Sequence, residues 1–217
     1  MIKPILFNTD MVRATLDGYK NTTRRICKGD KPPCEVGDLL WVRETWDFLP
    51  CITCMERDCL LKPAVYEDAE AITEGCWLYR ADSLNALIMN CHNWRPSIHM
   101  PKQAARIFLR VTEVSAQRLR ESINGVKKPA KALRDEGIQI YEACENCIRS
   151  GAERTCPCSK GVAAAENILD QPRWEFAQLW DSTIPKGRLA RDGWEANPWV
   201  WVIRFERCER PEGWPGT

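Results

Sequence analysis

No apolar run in this chain approaches the length that crosses a bilayer, and the opening Met1-Ile2-Lys3-Pro4 lacks the layout of a secretion signal. The expectation is a cytoplasmic protein with no membrane partner. Net charge is lacking too: 31 lysines and arginines against 30 acids leave +1. That balance excludes a polycation gripping nucleic acid over its whole surface, so such binding must come from a local patch. There is no internal repeat and no low-complexity tract, which excludes a solenoid. Wholesale disorder is excluded by mixed charge at 28% of residues. Regular strand–helix alternation is missing as well, which argues against a βαβ sheet.

What is present suits one domain over 1–217 carrying insertions, long enough to bury a core without disulfides. Residues 1–7 predict a short strand. Thr9 is placed to cap a helix over 10–16, and Asp17-Gly18 stops it. Thr22–Ile26 and 39–42 predict strands. Over 105–114, Ile107, Leu109 and Val111 alternate with Arg106, Phe108 and Arg110. A short helical stretch over 129–136 ends at Gly137. Trp174, Phe176, Ala177, Leu179 and Trp180 predict one face of an amphipathic helix. The clearest strand is 199–205, where Trp199, Trp201, Ile203 and Phe205 alternate with Val200, Val202 and Arg204 and predict the packed side. The tail over 211–217, rich in Pro and Gly, predicts a loose end. Strands at both ends with short helices between them predict an α+β fold built on a small mixed β-barrel.

Twelve cysteines are many for a cytoplasmic chain, and their CxxC spacing points to metal rather than disulfides. Two insertions hold most of them, over 47–76 and 142–161. In the second, Cys144, Cys147, Cys156 and Cys158 supply four thiolates, the donor set of a closed structural zinc site. An iron–sulfur cluster takes the same donors, but nothing suggests electron transfer. In the first, Cys51, Cys54 and Cys59 make three quarters of a site. Cys76 is favoured as the fourth ligand over Cys91 and His92. Metal would supply the folding energy that such polar segments cannot gain by burial. Cys27, Cys34 and Cys208 fall in no ligand pattern.

Two basic runs stand out: Lys20, Arg24, Arg25 and Lys28, then Lys127, Lys128, Lys131 and Arg134. The first lies in Gly18-Tyr19-Lys20-Asn21-Thr22-Thr23-Arg24-Arg25, which fits G-x-K-x-x-T-x-R. Here the chain resembles the ASCH family, whose members share a PUA-like barrel. Phage and prophage members of that family are also resembled by the segment from Gly37-Asp38-Leu39 through Glu44-Thr45-Trp46, by Tyr79-Arg80-Ala81-Asp82, by Trp94-Arg95-Pro96-Ser97-Ile98-His99-Met100-Pro101, and by Asn197-Pro198-Trp199-Val200-Trp201-Val202. The resemblance implies a small PUA-like mixed barrel with short flanking helices, here bearing zinc-binding insertions.

It also implies a site. Some small members of the family are amidohydrolases that remove an acyl group from a modified cytidine with the motif's lysine and threonine and a glutamate. Lys20 and Thr23 stand at the matching positions. Ala132-Leu133-Arg134-Asp135-Glu136-Gly137 resembles the helix carrying the glutamate and nominates Glu136, with Glu44 as rival. In that chemistry Lys20 deprotonates Thr23 for attack on the amide, and Glu136 shuttles a proton. Gly18, Arg24, Arg25, Glu44, Arg95 and His99 are the candidate ligand-binding residues, since Lys and Arg offer donors to phosphate or a base edge. Other members of the family are RNA binders or ribonucleases.

Three functions therefore compete. The first is a module holding RNA or a modified nucleotide in a basic barrel cleft. The second is a hydrolase on the same ligand class, acting as an acyl-cytidine amidohydrolase or a ribonuclease. The third is an interaction protein whose zinc-stapled insertions grip a host or phage protein.

Overall fold

A computed structural model of the chain describes residues 1–50, 64–67, 72–82, 94–124, 132–133, 135–137 and 170–215. It is an α+β fold dominated by sheet, with a few short helices. Among the described residues the strands close no barrel, and no helix is long and apolar enough to cross a membrane. The chain divides into two compact units that interleave in sequence. One comprises 1–18, 34–112 and 205–217; the other comprises 19–33 and 113–204.

In the first unit, β1 (Ile2–Leu6) runs parallel to β3 (Leu39–Arg43), with Ile2 opposite Leu39 and Leu6 opposite Arg43. The leading residues of β7 (Phe108–Arg118) pair antiparallel with β3, Leu109 facing Leu40. Ile107, Leu109 and Val111 are buried, as their alternation predicts. Phe108 on the other side is buried too, because it packs with Trp41, Ala105 and Trp214.

A second sheet has the order β4-β6-β5, made of Trp46–Pro50, Ile72–Tyr79 and Ala64–Glu67, all antiparallel. The described parts of the segment over 47–76, expected to be an insertion, supply much of it. Gly75 is required there: a Cβ would lie 2.3 Å from the Leu49 carbonyl oxygen.

Two local expectations are corrected in this unit. Helix α1 (Thr9–Leu16) is capped by Asn8 rather than Thr9; the Asn8 side chain accepts the Met11 N–H at 2.8 Å. The tail is not loose over its described residues, 211–215. Trp214 is buried, its ring lies 5.6 Å from Trp41 and 5.2 Å from Phe108, and its Nε1 donates to the Lys102 carbonyl at 2.8 Å. One buried tryptophan outweighs the local Pro and Gly content.

In the second unit, β2 (Thr22–Ile26) pairs antiparallel with β8 (Trp199–Cys208). The register sets Thr23 opposite Ile203, Arg24 opposite Val202, Arg25 opposite Trp201 and Ile26 opposite Val200. Helices α2 (Glu121–Asn124) and α3 (Asp170–Ser182) belong to this unit. Its core joins Leu119, Ile123, Leu133, Phe176, Trp180, Val200 and Val202. The buried side of this part of β8 is therefore the valine side. Trp199, expected to pack, is exposed, and so is Trp174 on α3.

Asp38 anchors the start of the first unit. Its carboxylate accepts from Lys3 Nζ at 2.8 Å, from the Met1 amino group at 2.6 Å and from the Glu35 N–H at 3.0 Å. Lys3 and these other donors hold its pKa well below the usual carboxylate range. A depressed folded-state value stabilises the protein above the unfolded value and is lost as pH falls through the folded one. Asp38→Asn is expected to cost about 1–2 kcal/mol at neutral pH. Urea titrations from about pH 5 towards about pH 2 should show the gap to the parent narrowing as Asp38 of the unfolded chain takes up a proton that the folded one still refuses.

Candidate functional site

The motif segment begins where α1 ends. Gly18 takes φ +78°, a left-handed conformation that glycine adopts freely, and its N–H donates to the Thr15 carbonyl at 3.2 Å. In the second unit the Asn21 N–H donates to the Asp135 carbonyl at 2.9 Å. This fixes the chain entering β2 against the turn that carries Glu136. That turn follows helical residues 132, 133 and 135 and is relieved by Gly137 at φ +87°.

Glu136 is the centre of the cluster. Its Oε2 accepts from Lys20 Nζ at 2.6 Å, and its Oε1 accepts a short bond from Arg24. Lys20 Nζ also donates to the Thr22 carbonyl at 2.6 Å and to the Glu136 carbonyl at 3.1 Å. Arg24 gives two further donors to Ser122, Nε to Oγ at 2.6 Å and Nη2 to the carbonyl at 2.9 Å. Its guanidinium also lies 5.7 Å from the Phe176 ring centroid. All three charged side chains are almost fully buried.

Two cations thus share one carboxylate away from water. Burial lowers the Lys20 pKa, and the attraction of Glu136 only partly restores it, with Arg25 and Arg24 adding to the lowering. A guanidinium does not give up its proton, so the loosely held proton of the cluster is that of Lys20.

Of the expected catalytic set, the structure brings Lys20 and Glu136 into contact. Thr23 is also buried, and its Oγ1 accepts from Arg25 at 2.9 Å. Successive residues of a strand alternate in direction, so Thr23 and Arg25 face opposite to Arg24 on β2. Lys20 and Arg24 belong to no solvated basic run; only Lys28 of that group is exposed, with Arg25 half-buried.

Glu44, Arg95 and His99 belong to the first unit. Glu44 is buried and takes a two-pronged contact from Arg106, Nε to Oε1 at 2.9 Å and Nη2 to Oε2 at 3.0 Å. Arg106 also reaches Asp82 at 2.8 Å and lies 3.9 Å from the Tyr79 ring centroid. Burial raises the Glu44 pKa, opposed by Arg106. Arg95 lies 5.0 Å from the Trp46 ring centroid and 3.5 Å from Asp47. His99 is exposed on a 3₁₀ turn, Ser97–His99.

Arg106, Asp82 and Ser122 were not singled out from sequence. Asp82 closes the quoted Tyr79-Arg80-Ala81-Asp82, so a signal for it existed; none marks Ser122. Cys76 is buried on β6 opposite Leu49. Cys51, Cys54, Cys59, Cys91, His92, Cys144, Cys147, Cys156 and Cys158 lie outside the described residues, as do Lys127, Lys128, Lys131 and Arg134. Among the described residues no three of His, Cys, Asp or Glu gather as a metal-sized group. No family model, curated protein or solved structure matches the chain.

Glu136→Ala strands two buried cations. It is expected to lower unfolding free energy by about 3–5 kcal/mol, the usual cost of breaking a buried pair from one side. Lys20→Met removes one of the two cations and should cost less. Urea denaturation of both variants measures the difference.

Proposed function

We propose that the chain is a nucleic-acid-related binding protein on a PUA-like scaffold of the ASCH class. On this reading RNA or a modified nucleotide is held at the Gly18–Arg25 segment. One observation supports this above the others: the motif's charged residues converge on a single buried carboxylate, Glu136, held by Lys20 at 2.6 Å and by Arg24. An ionic cluster with a shifted lysine is a feature of working sites, and here it coincides with the segment that carries the resemblance. Zinc held by the two cysteine groups is part of the same reading, with Cys144, Cys147, Cys156 and Cys158 as one four-thiolate set.

The Lys20–Glu136 contact also favours a second reading, in which the same ligand is hydrolysed. A lysine that sheds its proton below its ordinary value can act as a base, and Glu136 beside it can return that proton. Thr23, the nucleophile on this reading, is bonded to Arg25 on the side of β2 opposite to Arg24, so the reading also requires its release from Arg25 and its approach to Lys20 as substrate enters.

Purified, metal-analysed protein incubated with acylated cytidines, other modified nucleosides and short RNAs, with products read by mass spectrometry, tests both. Binding without turnover, lost in Lys20→Ala with Thr23→Ala, is the expected result for a reader. A product that vanishes in the same variant establishes the hydrolase. In that case kcat/KM should rise with pH through a pKa below the ordinary lysine value and lose that limb in Lys20→Ala. Neither binding nor turnover would overturn both readings. On the zinc reading, Cys144→Ser with Cys147→Ser should lower the bound zinc by about one equivalent in elemental analysis.

A further inference from the structure

The two sides of the β2–β8 pair differ in kind. Residues directly opposite in an antiparallel pair project to the same side. Arg24 and Ile26 therefore share a side with Val202 and Val200, where the Glu136 cluster and the core lie. Thr23 and Arg25 share the other side with Ile203 and Trp201, and alternation along β8 adds Trp199 to it. Burial fades along this side: Ile203 is 1% exposed, Trp201 half-buried, and Trp199 51% exposed.

Arg118, at the end of β7, sets its guanidinium 5.2 Å from the Trp199 ring centroid. That arginine is held in place, its Nη1 donating to the Asn197 carbonyl at 3.1 Å. The Asn197 side chain accepts the Arg120 N–H at 2.8 Å, which ties the entry of β8 to the exit of β7. Among the described residues no carboxylate lies within ion-pair distance of Arg118. Cys27 donates its N–H to the Trp199 carbonyl at 3.0 Å, and the exposed Lys28 follows it.

We propose that this side of the β2–β8 sheet is a stacking platform for the bases of a single-stranded nucleic acid. Trp199 is the principal ring, Trp201 the second, and Arg118 the cation that meets the sugar–phosphate backbone. The proposal rests on the nucleic-acid reading above and assigns it a surface and a ligand class. An indole half in water beside an arginine with no acidic partner among the described residues offers two attachments. A base covers the ring, and a phosphate neutralises the cation. A duplex hides its base faces and is served poorly by such a surface.

The test is fluorescence anisotropy with a labelled oligo(U) strand of about twelve nucleotides, with a hairpin duplex as comparison. Tighter binding of the strand than of the duplex is expected. Trp199→Ala should weaken strand binding about tenfold, and Trp199→Phe should recover most of it. Arg118→Gln should weaken binding and reduce the salt slope by about one. Each variant should keep the parent's urea midpoint, since Trp199 is exposed. Trp199→Ala binding the strand as the parent does, while Lys20→Ala with Thr23→Ala loses it, overturns the platform and leaves the motif reading standing. Retention of nucleosides but of no strand also overturns the platform. Failure of the parent to retain any nucleoside or RNA overturns the reading and the platform together.

Discussion

The second unit depends on one carboxylate. Glu136 accepts from Lys20 and from Arg24, residues more than a hundred positions earlier in the chain, and all three side chains are buried. Bringing such charges out of water costs several kcal/mol per ion, so the arrangement stands only if nearly every donor is met. It is: the Thr22 and Glu136 carbonyls take the rest of Lys20, and Ser122 takes two donors of Arg24. The Ser122 hydroxyl in turn donates to the Leu119 carbonyl at 2.6 Å, so the cluster also locks the turn before α2. Satisfying these ions therefore specifies how β2, α2 and the turn that carries Glu136 meet.

That specification divides β2 by side. A strand sends alternate residues to opposite faces, and here the division is chemical. Arg24 is spent on internal structure, while Arg25 and Thr23 hydrogen-bond to each other on the opposite side. Consecutive arginines of one motif thus have different employments. Mutating them as a pair would mix a folding defect with a binding defect.

Much of this was legible in the residues, for identifiable reasons. β2 and the ends of α1 and the 132–137 turn follow from local chemistry: Gly18 and Gly137 both adopt positive φ. The partnership of Lys20 with Glu136 has no local signal, and only the resemblance carried it. The burial of Arg24 was not legible, because a charged residue in a basic run looks solvated until a carboxylate from elsewhere arrives to pair with it. Trp199 failed the opposite way. Its alternation with valines marked two sides of a strand, and the assumption that large aromatics lie inside chose the wrong one, since Val200 and Val202 fill this core. Trp214 shows the same limit: its neighbours in sequence indicate a loose end, and its neighbours in space are Trp41 and Phe108.

The first unit holds a second ionic group with the opposite imbalance, in which Glu44 is buried and Arg106 and Asp82 are half-buried. There one cation, Arg106, serves two carboxylates, Glu44 and Asp82. Burial acts against the charge of Arg106, but the two acids more than restore it, so its pKa is raised. The charge in surplus is negative, and burial raises the pKa of Glu44. Around Glu136 the surplus is positive, and the pKa of Lys20 is lowered instead. Guanidinium groups hold their protons throughout, so the shift that burial produces falls on the partner able to titrate, and the surplus charge adds to it. The one site holds a lysine whose proton is loosened, and the other a carboxyl whose proton is held more tightly. On the hydrolase reading, the Lys20 cluster therefore offers an amine base beside its glutamate, and the Glu44 cluster offers only its own carboxyl beside a guanidinium.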